Sequence, residues 1–449
     1  LLIRIVQLQL MMKRTFMKVR MTCSDKPAII ELLLRLYQAA LDAADPMKVV
    51  PPYLPPLPRG RTVVIGVGKA AAAMAKVVEA NWSGELTGVV VVPDNAGLPL
   101  QRIQICEGSH PVPDERSIVA ATKLLKAVEG LTADDLVIAL ISGGGSALCC
   151  LPAAGLTLAD KQNITRKLLK CGATITEINT VRRHLSAIKG GRLAAHAYPA
   201  QVVTLMISDI PGDEPSLIAS GPTLADATTC SDALQILSRY SITDMPAVSE
   251  ALSSGTWESI KPDDSRLTRN TQHIISSAWN GMQAAAKQAT LENIDCHILS
   301  DAMEGEARDL AKAHAAIALS IARHNVPFKA PCVVISGGEA TVTVRGEGRG
   351  GRNTEFILAM AMALEGQAES GRIFALSAGT DGLDGKAQAA GAWMDHTTLH
   401  KARAQGLSPQ DFLDSNDSAT LLDTIGTLVH TGPTFTNIND FRGILIQAK

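Results

Sequence analysis

Five loops in this 449-residue chain carry residue types that could handle phosphate or a divalent cation. In the first, Gly66-Val67-Gly68-Lys69, an apolar run ends and an Ala-rich helix begins. Backbone N–H groups and the dipole of a helix N-terminus favour an anion there, and glycine lets the chain approach it closely. The spacing is not that of a Walker P-loop, because Val63 stands where that motif needs Gly and Ala70 where it needs Ser or Thr. Gly66, Gly68 and Ala71 do fit the looser dinucleotide pattern GxGxx(G/A), with Asp94 placed as a ribose-binding acid. Lys69 departs from that pattern. A lysine so placed can neutralise a transferring phosphoryl group or a substrate carboxylate.

The second loop, Ser142-Gly143-Gly144-Gly145-Ser146, has three glycines between serines after an apolar strand. It reads as a nest of backbone donors for phosphate, with a flexible turn as the competing reading. The third, Ser208-Asp209-Ile210-Pro211-Gly212-Asp213-Glu214, puts carboxylates at a strand end. Such a group suits Mg²⁺, which takes few protein carboxylates and leaves room for phosphate oxygens and water. Asp209 could instead act as general base on a substrate hydroxyl. The fourth loop leads into Arg352, a fork for phosphate or carboxylate oxygens, and then Asn353 and Glu355, for which helix capping competes. The fifth, Gly379 to Gly385, is a tight acidic turn whose Asp381 is a second candidate Mg²⁺ ligand. Residues 331–346 read as a hairpin around Gly337-Gly338 or as a strand entering an anion loop. On the second reading Gly337, Gly338 and Glu339 join the cofactor-binding set. His110 and His184 read as structural histidines, and neither HExxH nor GxSxG occurs.

The elements that must hold these loops follow one pattern. Apolar, β-branched runs at Thr62–Val67, Val89–Val92, Leu136–Ile141, Val202–Ile207, Val333–Ile335 and Ile373–Leu376 each end in a Gly/Ser/Asp loop. Such strands alternating with helices predict an α/β protein with parallel sheet covered on both faces, and ligands outside the strands' carboxyl ends. Residues 27–44 read as an amphipathic helix stopped by Pro46, and 226–272 as helices and a connector without strands. The expected division is 21–265, an N-terminal Rossmann-like domain, and 266–449, a C-terminal α/β domain.

Composition narrows the partners. Aromatics are 3 % and the net charge is −2, from 42 Lys+Arg against 44 Asp+Glu, so no basic or ring-rich nucleic-acid surface is expected. No uninterrupted apolar stretch reaches the roughly 18 residues of a membrane span. Eight cysteines show no CxxC or zinc spacing and fit a reducing cytosol, so a cytoplasmic location is expected. Residues 1–20 read as a non-native or disordered extension, with Met17 or Met21 as the start and a basic targeting leader as the alternative.

At these motifs the chain also resembles a known family, the bacterial and animal glycerate 2-kinases, whose C-terminal half is called the MOFRL domain. The matching stretches are VIGVGKAAAAMA at 64–75, EGSHPVPDERS at 107–117, LISGGGSAL at 140–148 and INTVRRHLSAIKGGRLA at 178–194. They continue with SDIPGDEPSLIASGPT at 208–223, ISGGEATVTVRGEGRGGRNTEF at 335–356, SAGTDGLDG at 377–385 and TGPTFTNINDF at 431–441. The resemblance implies two α/β lobes with the active site in a cleft, the MOFRL region at about 331–442, ATP and Mg²⁺ as cofactors, and phosphorylation of D-glycerate at its 2-hydroxyl. By motif it assigns Lys69 and Arg352 to substrate or transferring phosphate, Ser142–Ser146 to nucleotide phosphate, and Asp209 or Asp381 to the metal or the base. A monomer or homodimer is expected. Members of the family are also labelled hydroxypyruvate reductase, an NAD(P)H activity that the GxGxxA reading keeps open, and a glycerate 3-kinase would need the same loops. A reductase has little use for the 142–146 loop beside two acidic loops.

Overall fold

The computed structural model describes residues 28–449. The expectations for residues 1–20 and for a start at Met17 or Met21 lie outside the described residues. Contacts divide the described chain into two units. One comprises Ala43–Ala278 with Phe435–Ile438, and the other the remaining residues.

The first unit is built on six parallel strands: β1 (Thr62–Val67), β2 (Leu86–Pro93), β3 (Ile103–Gly108), β4 (Leu136–Ile141), β5 (Gln201–Ile207) and β6 (Thr271–Ser276). Their order, β3-β2-β1-β4-β5-β6, is that of the doubly wound nucleotide-binding fold. Strand residues alternate between two cores, which is why the runs are apolar throughout. Val63, Ile65, Val137 and Ala139 face Ala120, Ala121 and Leu124 of helix Glu115–Ala127. Val64, Val90, Ile138 and Leu140 face Met74, Val77 and Val78 of helix Ala71–Asn81. A separate helical layer, Leu158–Lys170, Ile175–His184, Cys230–Arg239 and Pro246–Ser253, packs around Ile164, Leu168, Ile178 and Leu237. Three of its helices open on capping boxes, Thr157 with Asp160, Thr174 with Glu177 and Thr229 with Asp232.

The second unit holds a mixed sheet in the order β13-β12-β11-β14-β9-β7. Its strands are β7 (Asp295–Ser300), β9 (Cys332–Gly338), β11 (Ile373–Gly379), β12 (Gly391–Met394), β13 (Leu428–Val429) and β14 (Asp440–Ile446), and only β7 with β9 is a parallel pair. A small parallel pair joins β8 (Gly305–Glu306) to β10 (Ala340–Thr341). One face of the main sheet carries helices Ala307–His324 and Arg352–Ala363. The other carries helix Ala28–Asp42.

Five expectations need correction. Helix Ala28–Asp42 belongs to the second unit, because Ile30, Leu33, Tyr37 and Ala40 bury one stripe against Phe374, Leu376 and Phe441, and the Tyr37 hydroxyl donates to the Gly379 carbonyl at 2.7 Å. Pro46 opens a short helix, Pro46–Val49, at a position where its missing N–H costs nothing. The first unit continues past residue 265, since β6 extends its sheet and the change of unit comes at Ala278/Trp279. Residues 331–346 form no hairpin: β9 runs through Gly337-Gly338, and β10 pairs with β8 instead. The second sheet is mostly antiparallel because β14 lies between β9 and β11 and runs against both. No helix among the described residues is long and apolar enough to cross a membrane.

Candidate active-site groups

In the parallel-sheet unit, strand order reverses between β1 and β4, and both neighbours end in candidate loops. Such a switch point is where open α/β sheets bind ligands. The two loops are laced together. Gly68 has φ +129°, and a Cβ there would stand 2.3 Å from the Ser142 hydroxyl oxygen, so only glycine fits. The amide of Gly68 donates to Val91, that of Lys69 to Gly143 and that of Ala71 to Gly68, while the Ala70 amide donates to Ser142 Oγ at 3.0 Å. These four amides are the ones a dinucleotide loop would turn toward a pyrophosphate, and here all are spent on protein acceptors. Gly66 has a packing role, since a Cβ there would meet Val90 Cγ1 at 2.8 Å. Asp94, the candidate ribose acid, is half-exposed in an ion pair with Arg116 at 2.6 Å.

The second loop is the converse case. Ser142 is fully buried, and its amide donates to the Val67 carbonyl. The amides of Gly143, Gly144, Gly145 and Ser146 have no protein acceptor among the described residues. Gly144 holds φ +81° and caps the short helix Gly145–Leu148. Consecutive open amides around a left-handed glycine form a concavity for an anion.

Ionisable side chains flank this loop. A Cβ on Gly144 would lie 3.1 Å from the His110 ring and 3.7 Å from Lys69 Cγ. One on Gly143 would lie 1.7 Å from Asp209 Oδ2, which also accepts from Asn437 Nδ2 at 3.0 Å. Lys69 and Asp209, both partly exposed, thus come to one place, and His110 and Asn437 join them. Asn437 sits on Phe435–Ile438, the stretch that returns to this unit. Its signal in sequence was the motif TGPTFTNINDF, in which no residue stood out.

His184 is structural. Its Nδ1 lies 2.8 Å from the Thr180 carbonyl, and with Cys230 and Glu258 it makes a three-ligand cluster. The Lys261 ammonium, 2.6 Å from Glu258 Oε1, already supplies a cation there.

In the mixed-sheet unit the candidate groups are tied to one another. Helix Arg352–Ala363 is capped from outside: Asp384 accepts from the amides of Asn353 and Thr354 and from the Thr354 hydroxyl at 2.8–2.9 Å. Burial pushes the Asp384 carboxyl above its ordinary value, with those bonds opposing. Asp440, wholly buried, takes Arg352 Nε on both oxygens at 2.8 Å, Asn353 Nδ2 at 2.9 Å and Arg442 Nη2 at 3.0 Å. Burial alone would lower the Arg352 guanidinium, but the charges of Asp440, Glu339 and Asp381 outweigh it and hold its pKa above the ordinary value. Arg352 keeps 26 % of its side chain exposed, and its Nη1 lies 3.5 Å from the half-exposed Glu339.

Asn353, a candidate cofactor contact, is buried and bonded internally, its Oδ1 taking the Ser377 hydroxyl at 2.6 Å. It orients Asp440 and so Arg352. Gly338, at φ +111°, lets the chain past Met303, which a Cβ there would approach to 2.3 Å, while a Cβ on Gly337 would meet Met282 Cε at 2.5 Å. Asp381 accepts from the Leu383 amide at 3.1 Å within its own turn. Asp440 and Arg442 escaped the sequence reading, because only strand register places them.

Residues 332–440 match the MOFRL family, and residues 32–253 match a domain of unknown function, DUF4147. The chain is 49 % identical over 430 residues to an Agrobacterium vitis protein named "Putative hydroxypyruvate reductase", covering 95 % of this chain and 96 % of that one. It is 38 % identical to the D-glycerate 2-kinase of Thermotoga maritima, covering 93 % and 98 %. A crystal structure of glycerate kinase from Thermotoga maritima superposes with a TM-score of 0.83, at 38 % identity, covering 93 % of this chain and 99 % of that one.

Proposed function

Because the chain belongs to the MOFRL-domain glycerate kinase family, we propose that it transfers the terminal phosphoryl group of ATP to the 2-hydroxyl of D-glycerate. The observation that carries this reading is the contrast between two neighbouring loops. The GxGxxA amides are consumed by the protein, whereas four amides at Gly143–Ser146 are left for an anion beside Lys69. Phosphoryl transfer asks for that combination, since positioning and charge neutralisation do most of the catalysis. In this reading the Gly143–Ser146 amides hold nucleotide phosphate. Lys69 neutralises the group in transfer, and Arg352, braced through its Nε, offers its Nη edge to phosphate oxygens.

Mg²⁺ fits the donor set at Asp209. A carboxylate oxygen set against an amide cradle would repel phosphate unless a cation lay between them. Asp209, oriented by Asn437, would hold such an ion, which would supply positive charge against the phosphate. Asp381, folded back on its own turn, fits the role less well.

The Agrobacterium vitis relative's name suggests reduction of hydroxypyruvate. Against that reading, a reductase of the GxGxxA type would need the amides of Gly68–Ala71 open to a pyrophosphate. The two are separated by one comparison. ADP should appear with D-glycerate, ATP and Mg²⁺, and NADH should persist with hydroxypyruvate. NADH oxidation without ADP release would reverse the assignment.

A further inference from the structure

The helical layer of the parallel-sheet unit contains three cations that the chemistry above does not use. Lys161 comes from helix Leu158–Lys170, Arg182 from helix Ile175–His184 and Lys189 from the turn after it. Lys161 is 5 % exposed, yet its ammonium has no hydrogen-bond partner. Lys189 is 1 % exposed and donates to the Ala219 carbonyl at 3.2 Å. Among the described residues no carboxylate pairs with any of the three. They lie close enough to act on one another and on the thiols of Cys149 and Cys150. Burial lowers all three, Lys161 to about 8. Desolvated cations without a counter-charge are costly, and an arriving anion removes that cost.

The surroundings show what kind of anion fits. Ala219, whose carbonyl meets Lys189, packs on the phosphate-type loop, since a Cβ on Gly145 would be 2.6 Å from Ala219 Cβ. The next residue, Ser220, shares a hydrogen bond with Ser146 at 2.7 Å and donates to Asn179 Oδ1 at 2.9 Å. Ala219 and Ser220 both hold positive φ, 53° and 60°, a strained backbone of the kind kept at functional positions. The neutral donors and acceptors of Ser146, Ser220 and Asn179 suit hydroxyl groups, which a nucleotide's terminal phosphate lacks. The open amides of Gly143–Ser146 suit phosphate.

We propose that Lys161, Arg182 and Lys189 receive the carboxylate of the hydroxy-acid acceptor, with Ser146, Ser220 and Asn179 facing its hydroxyls. This specificity pocket rests on the kinase reading above and names how that enzyme selects a carboxylate-bearing alcohol.

The discriminating variant is Lys161→Met, near-isosteric and uncharged. The KM for D-glycerate should rise tenfold or more, while the KM for ATP stays within twofold. Its Tm should equal or exceed that of the unmodified protein, because an unpartnered buried ammonium is gone; a merely structural lysine would lower Tm and leave both KM values unchanged. Arg182→Met should repeat the KM effect, and Lys161→Arg should restore part of it. Binding is also read without nucleotide. D-glycerate should raise the Tm of the unmodified protein, glycerol should not, and Lys161→Met should abolish the rise. A rise in KM for ATP instead would give the pocket to the nucleotide, and no change in either KM would remove it altogether; both overturn the proposal. A glycerate-dependent Tm shift without ADP formation would sink the kinase reading and leave the pocket standing.

Discussion

The two units solve the problem of presenting charge in opposite ways. The parallel-sheet unit keeps backbone donors open: Gly143–Ser146 sit at the switch point, and the side chains around them, Lys69 and Asp209, are partly exposed. The mixed-sheet unit spends its candidate groups Asn353, Asp384 and Asp440 on one another and on the helix that carries Arg352. Asp440 binds two arginines and an asparagine so that a single guanidinium, Arg352, keeps an exposed edge. Binding by backbone needs glycines and little buried charge, whereas binding by a fixed guanidinium needs a buried scaffold of ions. Function and stability should therefore separate in the first unit and travel together in the second.

The largest expected effect tests the first half. Lys69→Met should lower kcat by about 10²–10³-fold or more, the scale of losing a preorganised charge in phosphoryl transfer, with Tm hardly moved. An unfolded variant would break the comparison. Gly143→Ala comes next, because its Cβ would stand 1.7 Å from Asp209 Oδ2 and one of the two must move. Displacement of that size costs up to about 10²-fold in turnover, and steady-state kinetics with ATP varied should show it.

The second half is tested by Asp440→Asn, which leaves Arg442 buried without its counter-charge and Arg352 unbraced. Activity should fall about tenfold, and denaturant unfolding should show a loss of about 3–5 kcal/mol, as for other broken buried pairs. Activity loss at full stability would contradict the scaffold role.

The smallest effect concerns acid. His314 is neutral under β9, its Nδ1 2.7 Å from the Leu310 carbonyl and its Nε2 2.9 Å from Ser336 Oγ, and burial pushes its pKa from 6.5 to about 4. Its folded pKa lies below its unfolded one, so the unfolded chain binds the proton first. The stability it contributes is whole above pH 6.5 and drains away as pH falls toward about 4. In His314→Gln the fall in Tm across that window should be shallower, with activity at neutral pH unchanged.

What could be read from the sequence follows the same division. β1 and β4 were legible to the residue, because a strand buried on both faces must be apolar throughout. β6 was not, since its Thr271, Gln272 and His273 are exposed at a sheet edge and resemble a loop. β14 was hidden by Arg442, a buried charge that is tolerable because Asp440, two residues earlier on the same face of the strand, pairs with it. The Gly-rich loops and Lys69 showed themselves through local spacing. The partners that hold Arg352 and Asp209 come from 88 and 228 positions away, and no local pattern could join them.

The central claim is that a glycerate-specific phosphoryl transfer occurs at these groups. The most direct measurement incubates the protein with D-glycerate, ATP and Mg²⁺ and couples the product through enolase, pyruvate kinase and lactate dehydrogenase, with phosphoglycerate mutase withheld. Immediate loss of NADH absorbance is predicted, because enolase accepts 2-phosphoglycerate directly. A signal that waits for the mutase would move the product to 3-phosphoglycerate. No signal with or without it, while hydroxypyruvate alone consumes NADH, would contradict the account.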